Sequence, residues 1–281
     1  MVEVSEERHM PELPDVENYC RYLKRHGLHK KIEGVTVAAP KILEGASPRG
    51  FARTLEGRTI VRARRHGKHL FAEIDDRRWL AFHFGMTGRL EHFRDGEKEP
   101  DYDRLRFDFA GGEHLAYVNA RMLGRVRLID DADAFIRSKK LGPDAAGVDE
   151  KTFRERLREK RGAIKPALMD QTLLAGIGNI YSDEILFQAS IHPRTAIAEL
   201  DDKSLKQLYR TMRRVLETAV AKGAGAEDVE RRVPRSWLLP HRERGGECPR
   251  CGGKIATLKM QTRTAYFCPS CQREPRSARK S

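Results

Sequence analysis

The sequence predicts an α+β protein in three parts: an N-terminal antiparallel β-sandwich with a flanking helix, a helical domain, and a C-terminal zinc ribbon. Three observations carry this. Short β-patterned runs separated by Gly and Asp/Asn turns fill the stretch from about Ile32 to Ile129. A 3.6-residue apolar period then takes over. Two close pairs of cysteines follow near the C-terminus.

Pro14 suits the first position of a helix, and Val16, Tyr19, Cys20 and Leu23 continue from it as one apolar face. Cys20 lies on that face and reads as packing. The runs Ile32–Val37, Thr59–Ala63, Leu70–Ile74, Trp79–Phe84, Leu105–Phe109, His114–Val118 and Arg125–Ile129 read as strands of a sandwich. Asp130–Ala146, with Leu141-Gly142-Pro143-Asp144, reads as a linker. Beyond it, Leu205, Leu208, Tyr209, Met212, Val215, Leu216 and Ala219 form a helical core stripe. Ala175-Gly176-Ile177-Gly178-Asn179 reads as the tight turn between two helices. The expected domains are residues 10–138, 147–222 and 248–272, with a nine-residue extension at 1–9, a loop at 223–247 and a basic tail at 273–281.

Composition limits the function classes. The 281 residues carry a formal net charge of +13, which favours a polyanionic partner, nucleic acid first. No apolar run approaches the ~20 residues of a membrane span. Met1–His9 is too polar for a secretory signal. A monomeric, bacterial-type intracellular protein associated with the nucleoid is expected.

Cys248, Cys251, Cys268 and Cys271 form C-x2-C-x16-C-x2-C, the spacing of two thiolate turns that close a tetrahedral zinc site. Four sulfur ligands leave no open position, so one structural zinc and no organic cofactor are expected. The stretch between the pairs carries Lys259 and Arg263 and no acidic residue, so it can offer cations to a nucleic acid.

Met10-Pro11-Glu12-Leu13-Pro14 is the sharpest feature. Removal of a methionine before proline would expose Pro11 as a free secondary amine. Such an amine has a pKa near ~7.7–8, so much of it is neutral at physiological pH. It can attack the anomeric carbon of a deoxyribose and form an iminium, with Glu12 placed to move a proton. If residues 1–9 stay, the Pro11 nitrogen is an amide and cannot attack. We expect the functional start to be Met10. The alternative is a catalytically silent DNA- or lesion-binding protein of the same fold.

These residues resemble the formamidopyrimidine-DNA glycosylase and endonuclease VIII family, nearer the formamidopyrimidine branch. The Pro-Glu-Leu-Pro start, His83-Phe84-Gly85-Met86-Thr87-Gly88, the run Ile164–Gln171 into Gly176-Ile177-Gly178-Asn179-Ile180-Tyr181 with Asp183-Glu184, and Gln261-Thr262-Arg263 carry the resemblance. It implies a helix–two-turn–helix domain and a bifunctional DNA glycosylase and abasic-site lyase of base excision repair, acting on damaged double-stranded DNA. It implies Pro11 as nucleophile and Glu12 as proton donor. Lys68 would contact a phosphate and assist elimination, and Arg263 would assist the second elimination. Lys165, Asn179 and Arg263 would bind phosphates, and Glu184 would orient the amine. Met86 and Arg121 would fill the gap left by an extruded base.

The sequence departs from the family pattern at three places. The usual Asp-Pro-Arg-Arg-Phe-Gly stands here as Asn119-Ala120-Arg121-Met122-Leu123-Gly124, so Leu123 replaces an aromatic wedge. Tyr102 stands where the family often has a DNA-contacting histidine. The 223–247 loop looks shorter than the branch's lesion-capping loop, so 8-oxoguanine is expected to be released more slowly than ring-opened purines or oxidised pyrimidines.

Overall fold

The computed structural model describes residues 10–224 and 232–274. The 1–9 extension, residues 275–281 of the expected basic tail and residues 225–231 of the expected loop lie outside the described residues. The chain divides into two compact units, one of Met1–Pro11 with Asp15–Lys139, the other of Glu12–Pro14 with Lys140–Ser281.

In the first unit the alternating runs become two sheets. Strands β1 (Ile32–Thr36), β2 (Leu43–Glu44), β3 (Ile60–His66), β4 (His69–Ile74), β5 (Trp79–His83), β6 (Gly88–Arg94), β7 (Asp103–Phe109), β8 (Glu113–Asn119) and β9 (Arg125–Ile129) are ordered β1-β7-β8-β6 and β2-β9-β5-β4-β3. Alternation puts Leu70, Leu80 and Phe82 of one sheet and Leu105, Phe107, Leu115 and Tyr117 of the other into one core. Helices α1 (Leu13–His26) and α2 (Pro48–Leu55) add Val16, Cys20, Leu23, Phe51 and Leu55 to that core. Cys20 is therefore packing, as its helical face implies. The sandwich is antiparallel except where β2 pairs parallel with β9.

The expected linker contains a helix, α3 (Ala132–Ser138). Asp131 caps it by accepting from the Ala134 N–H, and Ala132 and Phe135 cover Phe71 and Trp79 on the outer face of the larger sheet. Seven residues, about two turns, are too few for a period to show.

The second unit is helical: α4 (Glu150–Arg158), α5 (Ile164–Met169), α6 (Asn179–Ala189) and α7 (Asp202–Ala221). The α7 stripe is buried, except that Tyr209 is only half-buried and its hydroxyl donates to Val148 O. Hairpin β10 (Ala256–Met260) and β11 (Arg263–Phe267) completes the unit. Among the described residues no helix is long and apolar enough to cross a membrane.

Candidate active site and nucleic-acid interface

Glu12 is a cap supplied from far away in sequence. Helix α6 starts after Gly178, which has no side chain to cap it. The Glu12 carboxylate fills that place: the Gly178 N–H donates to it at 2.6 Å, Ile180 N–H at 2.8 Å and Tyr181 N–H at 3.3 Å. First-turn N–H groups that would otherwise lack partners are thus satisfied by the Glu12 side chain. Leu13 N–H donates to Gly176 O at 3.0 Å, fixing the same segment. Gly176, at φ +119°, lies so close to Leu13 that an added Cβ would sit 2.7 Å from the Leu13 Cβ. Both the conformation and the space demand glycine. Gln171 ties the turn together, donating to Met169 O and Ile177 O and accepting from Gly176 N–H.

Glu12 thus holds the N–H groups of Gly178, Ile180 and Tyr181 at the start of α6. The Asn179 side chain donates through Nδ2 to Thr264 O at 3.1 Å, which registers β11 against the start of α6.

Lys165 is engaged inside the helical unit. Its side chain is 1% exposed and points inward. The ammonium donates to Asn179 O at 3.0 Å, Ser182 Oγ at 2.8 Å and Asp183 Oδ1 at 2.6 Å, so all three hydrogens are engaged. Asp183 Oδ2 accepts from Nε and Nη2 of Arg242, each at 3.1 Å. Arg242 in turn stacks 4.3 Å from the Tyr266 ring centroid. Burial pushes the Lys165 ammonium downward and the Asp183 carboxyl upward, and the charge of each opposes the other's shift. Lys165 holds the turn that carries Asn179, with its ammonium engaged by protein acceptors.

Glu184 is also internal. Its carboxylate accepts from Gln188 Nε2 and Leu239 N–H, both at 2.8 Å. Burial pushes its pKa up to about 7. These partners make it an anchor for the segment at Leu239.

Arg263 stands at the tip of the β10–β11 hairpin, exposed, after the two-residue turn Gln261-Thr262. Gln261 takes φ +53° there. Beside the tip lies an open cavity of about 540 Å³ lined by Arg161, Met169, Met260 and Arg263 among others.

The four cysteines sit together beyond the hairpin ends. Their sulfurs lie within 4.8 Å of one another, with Cys248 to Cys271 at 3.9 Å and Cys251 to Cys268 at 3.5 Å. Tetrahedral Zn–S bonds of ~2.3 Å put sulfurs about 3.8 Å apart. The donor set and spacing fit one structural zinc. Phe187, Leu238 and Ile255 pack against Cys248 and Cys268, and Arg250 joins the ribbon to α6 through Ser190 Oγ and Phe187 O.

In the sandwich unit Lys68 occupies the two-residue Gly67-Lys68 turn between β3 and β4, where Gly67 takes φ +56°. Its neighbour His69 is held neutral, its pKa lowered to about 3 by burial and by the nearby charges of His83, Lys139, His66 and Lys68. Met86 is half-buried on the turn between β5 and β6, while Arg121, Leu123 and Tyr102 are exposed. Arg121 N–H donates to Thr87 Oγ1 at 3.2 Å, so the Met86 turn and the Arg121–Leu123 loop touch.

Asp183, Arg242 and Gln171 carry no role expected from the sequence. The first and last lie inside the 164–184 motif, where a polar residue type in a buried turn was the signal. Arg242 left none, because its partner lies 59 residues away.

Comparison with known proteins matches the formamidopyrimidine-DNA glycosylase N-terminal domain over residues 10–126, its helix–two-turn–helix domain over 141–230, and the zinc finger found in that enzyme and isoleucyl-tRNA synthetase over 245–273. A formamidopyrimidine-DNA glycosylase of Heliobacterium modesticaldum is 36% identical over 277 residues, covering 94% of this chain and 100% of the relative. One from Pelotomaculum thermopropionicum is 33% identical, covering 94% and 99%. The Lactococcus lactis Fpg in complex with abasic-site DNA superposes with a TM-score of 0.84 at 32% identity, covering 94% of this chain and 100% of that one. A MutM complex with DNA containing carbocyclic 8-oxo-G gives 0.83 at 32% identity with the same coverage.

Proposed function

The chain belongs to the formamidopyrimidine-DNA glycosylase family, and from that premise we propose that it excises damaged bases from double-stranded DNA and cleaves the resulting abasic site. It is then a bifunctional glycosylase and lyase of base excision repair with one structural zinc. Its place of work follows its substrate, the nucleoid of a bacterial-type cell.

The observation that carries the reading is the anchoring of Glu12 by the N–H groups of Gly178, Ile180 and Tyr181. Pro11 is joined to Glu12 by one peptide bond. The chemistry requires Pro11 to carry a free secondary amine. Its lone pair attacks C1′ of the deoxyribose. The bond from C1′ to the base breaks, and the base leaves with that electron pair and gains a proton. Opening of the sugar gives an iminium, which acidifies the C2′ hydrogen and lets the 3′ phosphate depart.

Because both Glu12 oxygens already accept N–H bonds, its first role is positional, and proton transfer is a second role on the same carboxylate. Lys68 and Arg263 act on the phosphates flanking the reacting sugar, with Asn179 beside Arg263. Tyr102 bonds the backbone through its hydroxyl. Met86, Arg121 and Leu123 fill the gap in the stack.

Borohydride trapping on abasic-site DNA tests the proposal. A covalent adduct whose yield falls in Pro11→Gly is expected. Absence of any adduct from protein whose intact mass shows Pro11 as residue one would overturn it and favour a silent binder. Glu12→Gln should slow base release by about tenfold or more, the scale of general acid–base assistance. Base release at the wild-type rate would remove Glu12 from the chemistry.

A further inference from the structure

We propose that Asn119 is a positioning residue that joins the three DNA-facing loops of the sandwich unit into one rigid wedge. This rests on the reading of Met86, Arg121 and Leu123 as the side chains that fill the gap left by an extruded base.

Asn119 closes β8 and is fully buried; its backbone groups and side-chain Nδ2 reach every one of these loops, while Oδ1 is buried without a hydrogen-bond partner among the described residues. Its side-chain Nδ2 donates to Phe84 O at 3.2 Å, on the turn that carries Met86, and to Tyr117 Oη at 3.0 Å. Tyr117 donates onward to His83 O at 2.8 Å. The Asn119 N–H donates to Tyr102 O at 3.1 Å, fixing the loop before β7. Its carbonyl accepts from Arg104 Nε at 3.1 Å and from Met122 N–H at 3.4 Å, inside the Arg121–Leu123 loop.

The loops also meet without space to slide. An added Cβ on Gly85, at φ +62°, would lie 2.5 Å from both the Leu123 carbonyl carbon and the Gly124 nitrogen. One on Gly124 would lie 1.7 Å from Tyr117 Oη and 2.2 Å from Asn119 Nδ2. Arg125 Nη1 clamps the far side, donating to Met122 O at 3.0 Å and Gly124 O at 2.7 Å. Met122 packs against the sandwich core. Leu123, 48% exposed, therefore projects from a backbone held on both faces.

An amide is required at this position. Phe84 O can only accept, so the atom facing it must donate, and a carboxylate would set two acceptors against each other. The aspartate usual in the resembling motif cannot make this bond when ionised. Asn119 mounts a wedge that has leucine where the motif has an aromatic ring. A weaker wedge gains from a stiffer mount, because ordering that is complete before binding is not charged against insertion.

The full chain is tested on two duplexes. One carries a damaged base next to 2-aminopurine, whose fluorescence reports unstacking; the other carries an abasic site, which has no base to extrude. Asn119→Ala and Asn119→Asp should each lower the ratio of base release to borohydride trapping by about tenfold, roughly the loss of one well-placed hydrogen bond, and reduce the fluorescence rise. A general folding defect lowers both activities together and leaves the ratio unchanged. Leu123→Ala is the control: no effect on fluorescence would overturn the wedge reading itself. If Leu123→Ala acts but both Asn119 variants keep the wild-type ratio, the positioning role is wrong. If only Asn119→Asp keeps it, the requirement for an amide is wrong. Should Asn119→Ala not fold, Thr87→Val removes the surface acceptor of the Arg121 N–H and should lower the ratio about threefold. An unchanged ratio there would equally overturn the proposal.

Discussion

Lys165→Met separates a buried structural ammonium from a phosphate ligand. In the folded chain the Lys165 side chain is 1% exposed and its partner Asp183 is fully buried. Removing the ammonium takes away three hydrogen bonds, including the 2.6 Å contact to Asp183. Breaking a buried pair by deleting one member costs about 3–5 kcal/mol when the other charge is stranded. Asp183 keeps Arg242, and methionine retains much of the apolar stem, so the low end applies. The expected loss is about 3 kcal/mol, roughly 150-fold in the folding equilibrium of the helical unit. Trp237 lies in the core of that unit and reports its unfolding in urea once the other tryptophan, Trp79, is replaced by phenylalanine. The second assay is the salt dependence of binding to an abasic-site duplex. Each phosphate contact adds about 0.9 to the slope of log K against log salt. A buried Lys165 predicts an unchanged slope with a lowered urea midpoint. A slope reduced by about one with an unchanged midpoint would refute the reasoning and restore Lys165 as a phosphate ligand.

Gly124→Ala should destabilise the sandwich unit by at least about 2 kcal/mol, because its Cβ would fall on Tyr117 Oη and Asn119 Nδ2; wild-type thermal stability would contradict the close approach. Zinc chelation should melt the cysteine ribbon and release Arg263 and Lys259 from fixed positions, weakening DNA binding roughly tenfold; fluorescence anisotropy of metal-free protein with unchanged affinity would count against it. Glu184 has a folded pKa raised to about 7 from 4.5, so the folded unit holds a proton that the unfolded chain has lost across that window. Its contribution is therefore most favourable below about pH 4.5 and declines as pH rises to about 7, and Glu184→Gln should remove that part of the slope in urea titrations at several pH values. An identical slope in the variant would show that another group is responsible.

Much of the fold was legible because it rests on local periodicity. The strands and the α7 stripe follow from which residues must face a core, and that rule acts within a few neighbours. The parts that were not legible are short or long-range. Helix α3 offers too few residues for a period, and β2 is only two residues long and pairs parallel with β9 across 83 positions of sequence (Leu43 with Val126). The site divides the same way. Cysteine spacing alone located the ribbon, and composition of the turn located Gly176 and Gly178. The burial of Lys165 and the bonds of Glu184 to Gln188 and Leu239 could not be read from residue types, which are equally suited to a surface.

For Pro11 and Glu12 the sequence supplied the expectation: a proline that becomes a secondary amine once the residues before it are removed, with an acidic residue beside it. What only the tertiary structure decided is what that carboxylate does at rest. Glu12 meets Gly178, Ile180 and Tyr181 across more than 160 residues because a helix beginning at a glycine leaves its first N–H groups without partners, and a buried carboxylate needs donors. Each satisfies the other, and neither need is visible until the chain has folded.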